Sequence, residues 1–340
     1  GDIHLDLELS GVSLRLLLAV AALRPTTTHF DGLDPLRARP NQDMLEALEE
    51  LGCNTTSTNN GHLPISVTGT RNYAPEVSVG TDISSQYLSG LLLVAPLFPH
   101  GLTVKMKDAV VSAPYVDITR TEMAKRGIIV ETVDDRTLHV QAGNYNADSI
   151  AIEGDASAAT YHVALATIHG STTRIKNLGD STTQGDFAFI KLCQKLGATI
   201  DVTKDAATIT GPRNLCALDK VDMQLMPDAA PTLMAIAPFL PEPILITGLS
   251  TLRHKECDRI SCPTQELAKA GVRIEEGEDY VTVHPLNDPK PAHFNTHDDH
   301  RMAMSLAVFA SKIGDCAVMD PDCVSKTYAD FWRDFERVYG

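Results

Sequence analysis

The sequence repeats with a period of about 70 residues, and this repeat constrains the fold more than any other feature. Helix-like segments recur that end in glycine, a residue suited to the left-handed turn that closes a helix. They are MLEALEELG (Gly52), TEMAKRG (Gly127), FIKLCQKLG (Gly197), TQELAKAG (Gly271) and DFERVYG (Gly340). Each of the first four is followed by two strand-like stretches around a polar turn, as in ATIDVTKDAATIT, which predicts hairpins.

A second series of helices alternates with the first. Its segments are SGVSLRLLLAVAAL, SSQYLSGLLLVAPL, DASAATYHVALATI, DAAPTLMAIAPFL and DDHRMAMSLAVFA, beginning near Ser10, Ser84, Asp155, Asp228 and Asp298. Ser and Asp are common helix caps, and the residues after them are apolar almost all round, which predicts buried helices. The predicted unit is therefore strand, buried helix, strand, outer helix and hairpin. A solenoid is the alternative, but mostly buried helices favour compact domains.

Size and composition narrow the class of protein. A chain of 340 residues is too long for one ordinary core, so we expect two domains. The net charge of −15 disfavours nucleic acid and anionic membranes as partners. The longest apolar run, residues 16–23, is shorter than the roughly 20 residues that span a bilayer and follows acidic residues, so we expect a cytoplasmic protein. The 7 cysteines form no CxxC pair, which disfavours disulfide and zinc frameworks.

Polar residues concentrate at two places in the repeat. At the starts of the buried helices stand Gly11, Arg15, Ser84, Ser85, Gln86, Asp228, His300 and Arg301. In the loops before the outer helices stand Arg39, Ser112, Tyr115, Lys255, Glu256, Arg259 and Lys326. Helix N-termini attract anions. A cap is the simpler interpretation of any one Ser or Asp, but the recurrence of Arg and Lys predicts binding of small anionic molecules.

The segment RHKECDRI carries Lys255 and Arg259 four residues apart. On one helical turn these charges would repel each other, which favours an anionic ligand between them. A solvated basic face is the alternative.

HFNTHDDHRM groups His293, His297 and His300 with Asp298 and Asp299, a set that suits a metal ion. The neighbouring cation Arg301 disfavours that interpretation, and we predict no metal. The chain carries neither a GxxxxGK[ST] loop nor a GxGxxG motif after a predicted strand, so no nucleotide cofactor is expected.

The chain resembles the 5-enolpyruvylshikimate-3-phosphate synthase family of enolpyruvyl transferases in SSQYLSGLLLVAP, SAPYVDIT, EGDAS, MPDAAPT, LRHKECDRI, EEGEDYVTVHP, DDHRMAMSLA and DPDCVSKTY. These segments lie in family order over nearly the whole chain. The resemblance implies an α/β (α+β) fold: two inside-out, barrel-like domains of βαβαββ units, three per domain, with the first unit missing here. It places a truncated, shikimate 3-phosphate-binding domain at 1–152 and a phosphoenolpyruvate-binding domain with the catalytic carboxylates at 153–340.

The resemblance also implies a reaction. The enolpyruvyl group of phosphoenolpyruvate passes to the 5-hydroxyl of shikimate 3-phosphate with release of phosphate, as in chorismate and aromatic amino-acid biosynthesis. The implied enzyme is a monomer without a cofactor, whose site lies in the cleft between the domains. Asp228 would take the proton of the 5-hydroxyl, and Glu256 would protonate the methylene carbon of phosphoenolpyruvate. The implied contacts of shikimate 3-phosphate are Ser84, Ser85, Gln86, Ser112, Tyr115, Asp228, Thr251 and Lys255. Those of phosphoenolpyruvate are Gly11, Arg39, Gln86, Arg259, Arg301 and Lys326.

Departures from the family pattern give further expectations. The family's PGSKS-type motif, with a lysine that touches both substrates, is absent from residues 1–15, so we expect a missing N-terminal segment and weak activity of this chain alone. Val12 and Leu16 stand where the family has Thr and Pro, in a helix whose changes weaken glyphosate binding in the family. Reduced glyphosate sensitivity is therefore expected, testable by reverting both. Thr251 replaces an Asn and shortens one substrate contact.

Two other functions stay open at this stage. The UDP-N-acetylglucosamine enolpyruvyl transferases share the fold but use a cysteine on a mobile loop and lack the combination of KExDR and DDHRM. An inactive family member is the second alternative, against which Asp228, Glu256 and Lys326 speak.

Overall fold

The sequence repeat becomes a repeated order of strands and helices. The computed structural model describes residues 1–111, 113–146 and 149–339, so Ser112, an expected substrate contact, lies outside the described residues. The chain divides into two compact units, Gly1–Ile150 and Ala151–Gly340, each with its own hydrophobic core. Within the described ranges no helix has both the length and the apolar character needed to cross a bilayer.

In the first unit, strands pair in two sheets of the same order. The strands are β1 (Ile3–Asp6), β2 (Thr28–Asp31), β3 (Asn54–Thr58), β4 (His62–Thr68), β5 (Glu76–Val79), β6 (Leu102–Met106), β7 (Val130–Asp134) and β8 (Thr137–Val140). The helices are α1 (Gly11–Ala21), α2 (Asp34–Arg37), α3 (Gln42–Glu50), α4 (Ser85–Val94) and α5 (Ala113–Lys125). The sheets run β1-β2-β4-β3 and β5-β6-β8-β7, the first pair of each parallel and the others antiparallel. Both follow βαβαββ.

The second unit uses the same building plan. Its strands are β9 (Thr172–Lys176), β10 (Thr199–Val202), β11 (Ala206–Thr210), β12 (Lys220–Asp222), β13 (Ile244–Thr247), β14 (Ile274–Glu276), β15 (Val281–Val283), β16 (His293–Phe294) and β17 (Ala317–Val318). Its helices are α6 (Ala156–His169), α7 (Ala188–Lys195), α8 (Ala230–Ile236), α9 (Ser261–Lys269), α10 (His300–Ile313) and α11 (Phe331–Tyr339). The sheet β12-β13-β15-β14 has the full order, while β9-β11-β10 and the parallel pair β16-β17 show parts of it.

The predicted hairpins and four of the five predicted helix ends are confirmed, and the fifth, at Gly340, lies outside the described residues. Gly52, Gly127, Gly197 and Gly271 all have positive φ, between 85° and 105°. A side chain there would be strained, which explains why each outer helix is followed by glycine. The hairpins β3-β4, β7-β8, β10-β11 and β14-β15 come directly after these turns. The first repeat unit, which the resemblance implies is missing, stays a prediction.

The predicted starts of the buried helices are confirmed for three of them. Ser10, Ser84 and Asp155 accept backbone N–H bonds as the caps of α1, α4 and α6. For α10 the prediction was wrong by one residue: Asp299 is the cap, because Asp298 adopts the left-handed conformation with φ of 55°. Asp228 is no helix cap at all, since its carboxylate turns to basic side chains and lies in a 3-10 turn, Pro227–Ala229, ahead of α8.

Helices α6, α8 and α10 pack on one another around buried hydroxyl groups. The hydroxyl of Thr160 lies 3.3 Å from that of Thr232, which lies 3.4 Å from the hydroxyl of Ser305. One hydroxyl from each helix therefore satisfies its neighbours inside an otherwise apolar core. The N-terminal ends of these packed helices carry polar residues of the second unit, among them Asp228 ahead of α8 and Arg301 in α10.

Candidate active site

Basic and acidic side chains from two repeats of the second unit meet in one charge cluster. Among the described residues its members are Asp228, Lys255, Glu256, Arg259, Asp299, Arg301 and Lys326. They come from the 3-10 turn before α8, the segment between the 3-10 helix Ser250–His254 and α9, the start of α10, and the end of the 3-10 helix Pro321–Lys326. The charge cluster thus combines the two places where the repeat predicted polar residues, the starts of buried helices and the segments before outer helices.

Asp228 is the point at which the cations converge. Arg301 Nη2 donates to its Oδ2 at 2.9 Å, and Arg259 Nη1 donates to its Oδ1 at 3.2 Å. Lys255 Nζ lies 3.7 Å from the same Oδ1. Burial alone would raise the pKa of Asp228, but the three positive charges hold that pKa far below the ordinary range. The carboxylate is ionised at any physiological pH.

Arg259 links all three carboxylates of the charge cluster and is only 2% exposed. Its Nε and Nη2 donate to the two oxygens of Asp299, at 2.7 and 3.0 Å, in a bidentate pair. Nη2 also donates to Glu256 Oε2 at 2.8 Å. Burial would lower the pKa of Arg259, but the adjacent carboxylates raise it, so the guanidinium is always charged.

Glu256 joins Arg259 to Lys326. Its Oε2 accepts from Arg259, and its Oε1 accepts from Lys326 Nζ at 2.6 Å. Both oxygens therefore contact a cation, on a side chain that is 21% exposed. Burial lowers the pKa of nearby Lys255, and the opposite charge of Asp228 offsets part of that shift.

The segment of Lys255 and Arg259 is not a helical turn, and that prediction was wrong. The 3-10 helix ends at His254 and α9 begins at Ser261, so the residues between them form an irregular connection. The anion between the two cations is Asp228 of the chain itself. Ion pairs with Asp228, Glu256 and Asp299 determine this conformation. The spacing of two residues predicts that they share a face only where the chain is helical, so it could not predict this segment.

A strained turn sets the position of Asp299 and Arg301. His297 and Asp298 both have positive φ, 53° and 55°, which is uncommon for residues other than glycine. The buried carboxylate of Glu266 holds this turn, because it accepts from the backbone N–H of Asn295 at 2.8 Å and contacts His297 Nε2 at 3.0 Å. Asp299 then accepts from the backbone N–H of Arg301 at 2.8 Å while it pairs with Arg259.

The histidines of this segment point to different surroundings. His297 contacts Glu266, His293 lies on β16, and His300 is buried at the start of α10. Burial, together with Arg301, lowers the pKa of His300 to about 4, so its imidazole is neutral. Among the described residues, no three or more His, Cys, Asp or Glu side chains are grouped as a metal ion would require.

Two buried residues next to the charge cluster were missed by the sequence analysis. Tyr161 of α6 is fully buried, and its hydroxyl accepts from Arg301 Nη1 at 3.4 Å. Asp186, 5% exposed, accepts a short hydrogen bond from the hydroxyl of Ser157. Burial, followed by the charge of Asp228, raises the pKa of Asp186 to about 6. Local sequence carries no signal for either contact, because the partners are far apart along the chain.

The first unit holds a smaller polar group around Arg15, which we call the Arg15 cluster: Arg15, Ser84, Gln86 and Tyr87. Arg15 Nη1 donates to Ser84 Oγ at 3.0 Å and to Gln86 Oε1 at 2.9 Å. Its guanidinium carbon lies 5.0 Å from the centre of the Tyr87 ring, a cation–π distance. Arg15 thereby brings together two of the predicted substrate contacts, and it was not itself among them.

The other predicted residues of the first unit lie near helix starts. Gly11 opens α1, and a Cβ at this position would lie 2.5 Å from Arg39 Nη1, so only glycine lets that guanidinium approach. Ser85 is buried as the first residue of α4. Tyr115 is 37% exposed in the first turn of α5. In the second unit, Thr251 lies in the 3-10 helix that ends just before Lys255.

The charge cluster is suited to proton transfer beside a bound anion. Among the described residues, its four cations balance only three carboxylates, so an anionic ligand adds a favourable interaction. Asp228 and Glu256 share Arg259, which places an ionised base and a second carboxylate on the same guanidinium.

Comparisons with known proteins show which family the chain resembles over nearly its whole length. Residues 1–335 match the sequence-family model described as EPSP synthase (3-phosphoshikimate 1-carboxyvinyltransferase). The 3-phosphoshikimate 1-carboxyvinyltransferase of Shewanella sediminis is 35% identical over 96% of this chain and 77% of its own length. The chloroplastic enzyme of that name from Arabidopsis thaliana is 35% identical over 99% and 67%.

Solved structures show the same fold. An EPSP synthase from Acinetobacter baumannii superposes with a TM-score of 0.79 at 21% identity, over 99% of this chain and 79% of that one. The enolpyruvyl transferase NikO from Streptomyces tendae gives 0.71 at 16% identity, over 96% and 74%.

Proposed function

The chain belongs to the EPSP synthase family, and from that premise we propose that it transfers the enolpyruvyl group of phosphoenolpyruvate to the 5-hydroxyl of shikimate 3-phosphate. The product enters aromatic amino-acid biosynthesis, and inorganic phosphate is released. The observation that carries the proposal is the meeting of Asp228, Glu256 and Arg259 in one charge cluster. Membership of this family disfavours the UDP-N-acetylglucosamine enolpyruvyl transferase alternative.

Phosphoenolpyruvate, with a carboxylate and a phosphate, is assigned to the cations. Its proposed contacts are Gly11, Arg39, Gln86, Arg259, Arg301 and Lys326. Arg is suited to bidentate recognition of carboxylate and phosphate, and Lys326 adds a point charge. In the charge cluster, three of these cations now bind carboxylates of the chain, so the ligand would compete with Asp228 and Glu256.

Shikimate 3-phosphate is assigned to the hydroxyls and amides of the first unit, together with residues of the second. Its proposed contacts are Ser84, Ser85, Gln86, Ser112, Tyr115, Asp228, Thr251 and Lys255. The Arg15 cluster supports this assignment, because Arg15 fixes the side chains of Ser84 and Gln86 with two hydrogen bonds. Fixed polar groups bind a ligand with less loss of side-chain entropy. The first unit would thus supply most of the shikimate 3-phosphate contacts, and the second would supply the catalytic carboxylates with three of the cations that bind phosphoenolpyruvate.

Asp228 would act as the base that removes the 5-hydroxyl proton. In the ligand-free chain its pKa is far too low for an efficient base, because Arg301, Lys255 and Arg259 stabilise its charge. An anionic ligand that binds Arg259 and Arg301 would weaken this stabilisation, and the pKa of Asp228 would rise towards its ordinary range. Binding of phosphoenolpyruvate would therefore activate the base, and the activated form would exist only with the reactant present.

The proposed reaction has two steps. In the first, the 5-oxygen forms a bond to C2 of phosphoenolpyruvate, Asp228 takes the hydroxyl proton, and Glu256 gives a proton to C3, which yields a tetrahedral intermediate. In the second, the bond from C2 to the phosphate oxygen breaks, the phosphate leaves with the proton held by Asp228, a proton returns from C3 to Glu256, and the double bond forms again. Glu256 needs a proton for the first step, whereas Arg259 and Lys326 favour its ionised form. Phosphoenolpyruvate, by binding these two cations, would let Glu256 take up that proton.

Turnover with both substrates tests the proposal. The chain is incubated with phosphoenolpyruvate and shikimate 3-phosphate, phosphate is measured, and the enolpyruvyl ether is identified by proton NMR. UDP-N-acetylglucosamine replaces shikimate 3-phosphate in a parallel reaction. We expect product only with shikimate 3-phosphate. Product with the nucleotide sugar would favour the alternative transferase, and absence of product with either acceptor would indicate an inactive member.

A further inference from the structure

Tyr161 contacts Arg301, a cation of the charge cluster, at a different terminal nitrogen from the one that binds Asp228. We propose that Tyr161 is a positioning residue that holds the Arg301 guanidinium in the orientation that binds phosphoenolpyruvate. The inference rests on the proposed function, in which Arg301 is one of the phosphoenolpyruvate contacts.

Two contacts hold the planar guanidinium of Arg301, one at each of its terminal nitrogens. Nη2 donates to Asp228 Oδ2 at 2.9 Å, and Nη1 donates to the hydroxyl of Tyr161 at 3.4 Å. The backbone N–H of Arg301 donates to Asp299. Two separate acceptors on the two terminal nitrogens determine the rotation of the guanidinium plane, which a single ion pair would leave adjustable.

The two acceptors differ in charge, and this difference gives Tyr161 its role. Burial raises the pKa of Tyr161 to about 12, so the phenol stays neutral at physiological pH. A ligand carboxylate or phosphate competes with Asp228 for the positive charge of Arg301. The neutral hydroxyl takes little of that charge. Tyr161 therefore keeps its hold on Nη1 while Nη2 changes partner from Asp228 to the ligand.

Tyr161 is itself fixed by packing. Its side chain is fully buried in α6, and its ring meets that of Phe331 edge to face, with centroids 5.9 Å apart. Phe331 is fully buried at the start of α11, five residues after Lys326. A rigid aromatic contact of this kind leaves the hydroxyl little freedom to follow a moving guanidinium.

Tyr161→Phe removes the hydroxyl and keeps the ring. We expect the KM for phosphoenolpyruvate to rise about tenfold, the KM for shikimate 3-phosphate to change less than twofold, and kcat to fall by less than threefold. Tyr328→Phe is the matched control, because its hydroxyl bonds His162 and Asp334 in the same aromatic region. That variant should leave both KM values within twofold. Equal changes in both KM values for Tyr161→Phe would overturn the proposal.

A double-mutant cycle separates positioning from general packing. In an Arg301→Ala background, Tyr161→Phe should change the KM for phosphoenolpyruvate by less than twofold, because the group that it positions is gone. A further tenfold rise would show that Tyr161 acts elsewhere, and the inference would fail.

Wild-type turnover tests the proposed function independently of these variants. If the wild type makes no product, calorimetric titration with phosphoenolpyruvate replaces the kinetics. The inference then predicts Kd about tenfold weaker for Tyr161→Phe than for the wild type and unchanged for Tyr328→Phe. Equal Kd values for all three proteins, or no binding by the wild type, would overturn it.

Discussion

The Arg15 cluster and the charge cluster each fix a buried arginine, but the partners of the two arginines differ. Arg15 donates to a hydroxyl and an amide oxygen and lies over an aromatic ring. Arg259 donates to three carboxylates, one of them fully buried. Loss of Arg15 would leave neutral groups behind, while loss of Arg259 would leave buried negative charge. The two clusters should therefore respond very differently to mutation and to pH.

The largest difference should be in turnover, after Asp228→Asn. This change keeps the shape of the side chain but removes the proposed base, and general base catalysis contributes roughly 10²- to 10⁴-fold. We expect kcat to fall about a thousandfold. The KM for phosphoenolpyruvate should stay the same or decrease, because the three cations lose their competing carboxylate. Phosphate release under saturating substrates measures this, and a kcat within tenfold of the wild type would refute the assigned role.

Replacing each arginine by methionine compares the two clusters directly. Arg259→Met leaves the carboxylate of Asp299 buried and without its bidentate partner, which costs about 3 to 5 kcal/mol in the free energy of unfolding. Arg15→Met leaves a hydroxyl and an amide with fewer bonds, at about 1 to 2 kcal/mol. Denaturant unfolding followed by circular dichroism measures both. Similar losses for the two variants would mean that the partner's charge does not matter.

Ionisation of Asp186 should make the free energy of unfolding depend on pH. Its pKa is about 6 in the folded chain against an ordinary value of 3.8, because of burial and the nearby charge of Asp228, partly offset by Arg301. Between these values the folded state binds a proton that the unfolded state has lost. Stability therefore falls as pH rises through this window.

Asp186→Asn tests this, since the amide oxygen still accepts from Ser157. The variant should be more stable than the wild type by up to about 3 kcal/mol at pH 8, with the difference vanishing below pH 4. Urea unfolding at both pH values gives the result. A difference independent of pH would assign the effect to packing and not to ionisation.

The smallest expected effect distinguishes a helix cap from a binding group. Ser84→Ala and Ser10→Ala each remove the cap of a helix, α4 or α1, at about 1 kcal/mol. Ser84 also accepts from Arg15, so its loss should raise the KM for shikimate 3-phosphate several-fold, while Ser10→Ala should leave that KM unchanged. If both variants changed it equally, the Arg15 cluster would have no separate role in binding.

The repeat could be predicted because it depends on local rules. Gly52 and Gly197 end helices in the left-handed conformation, and Ser10 and Asp155 cap helix starts with their own side chains. Such features involve residues within a few positions of one another. For the same reason the sequence indicated the cations at the helix starts, of which Arg259 and Arg301 now lie on a common carboxylate.

The partners of these cations could not be predicted from spacing. Arg301 meets Tyr161 140 residues away in sequence, and Arg259 meets Asp299 40 residues away. The strength of these tertiary contacts also explains the local errors: Asp228 serves two arginines and not a helix N-terminus, and residues 255–260 are not helical. Only for Asp299 did the sequence give a hint: the pair Asp298 and Asp299 stands at a predicted helix start, where an Asp is a typical cap.

The turn at His297 and Asp298 has a consequence for how variants would present themselves. Two residues in a disfavoured backbone conformation raise the free energy of the folded state, and the carboxylate of Glu266 stabilises the turn that contains them. A substitution of Glu266 would let the turn relax and would shift the first residues of α10. Such a variant would then show reduced catalytic activity, although Glu266 is not among the proposed contacts of either reactant.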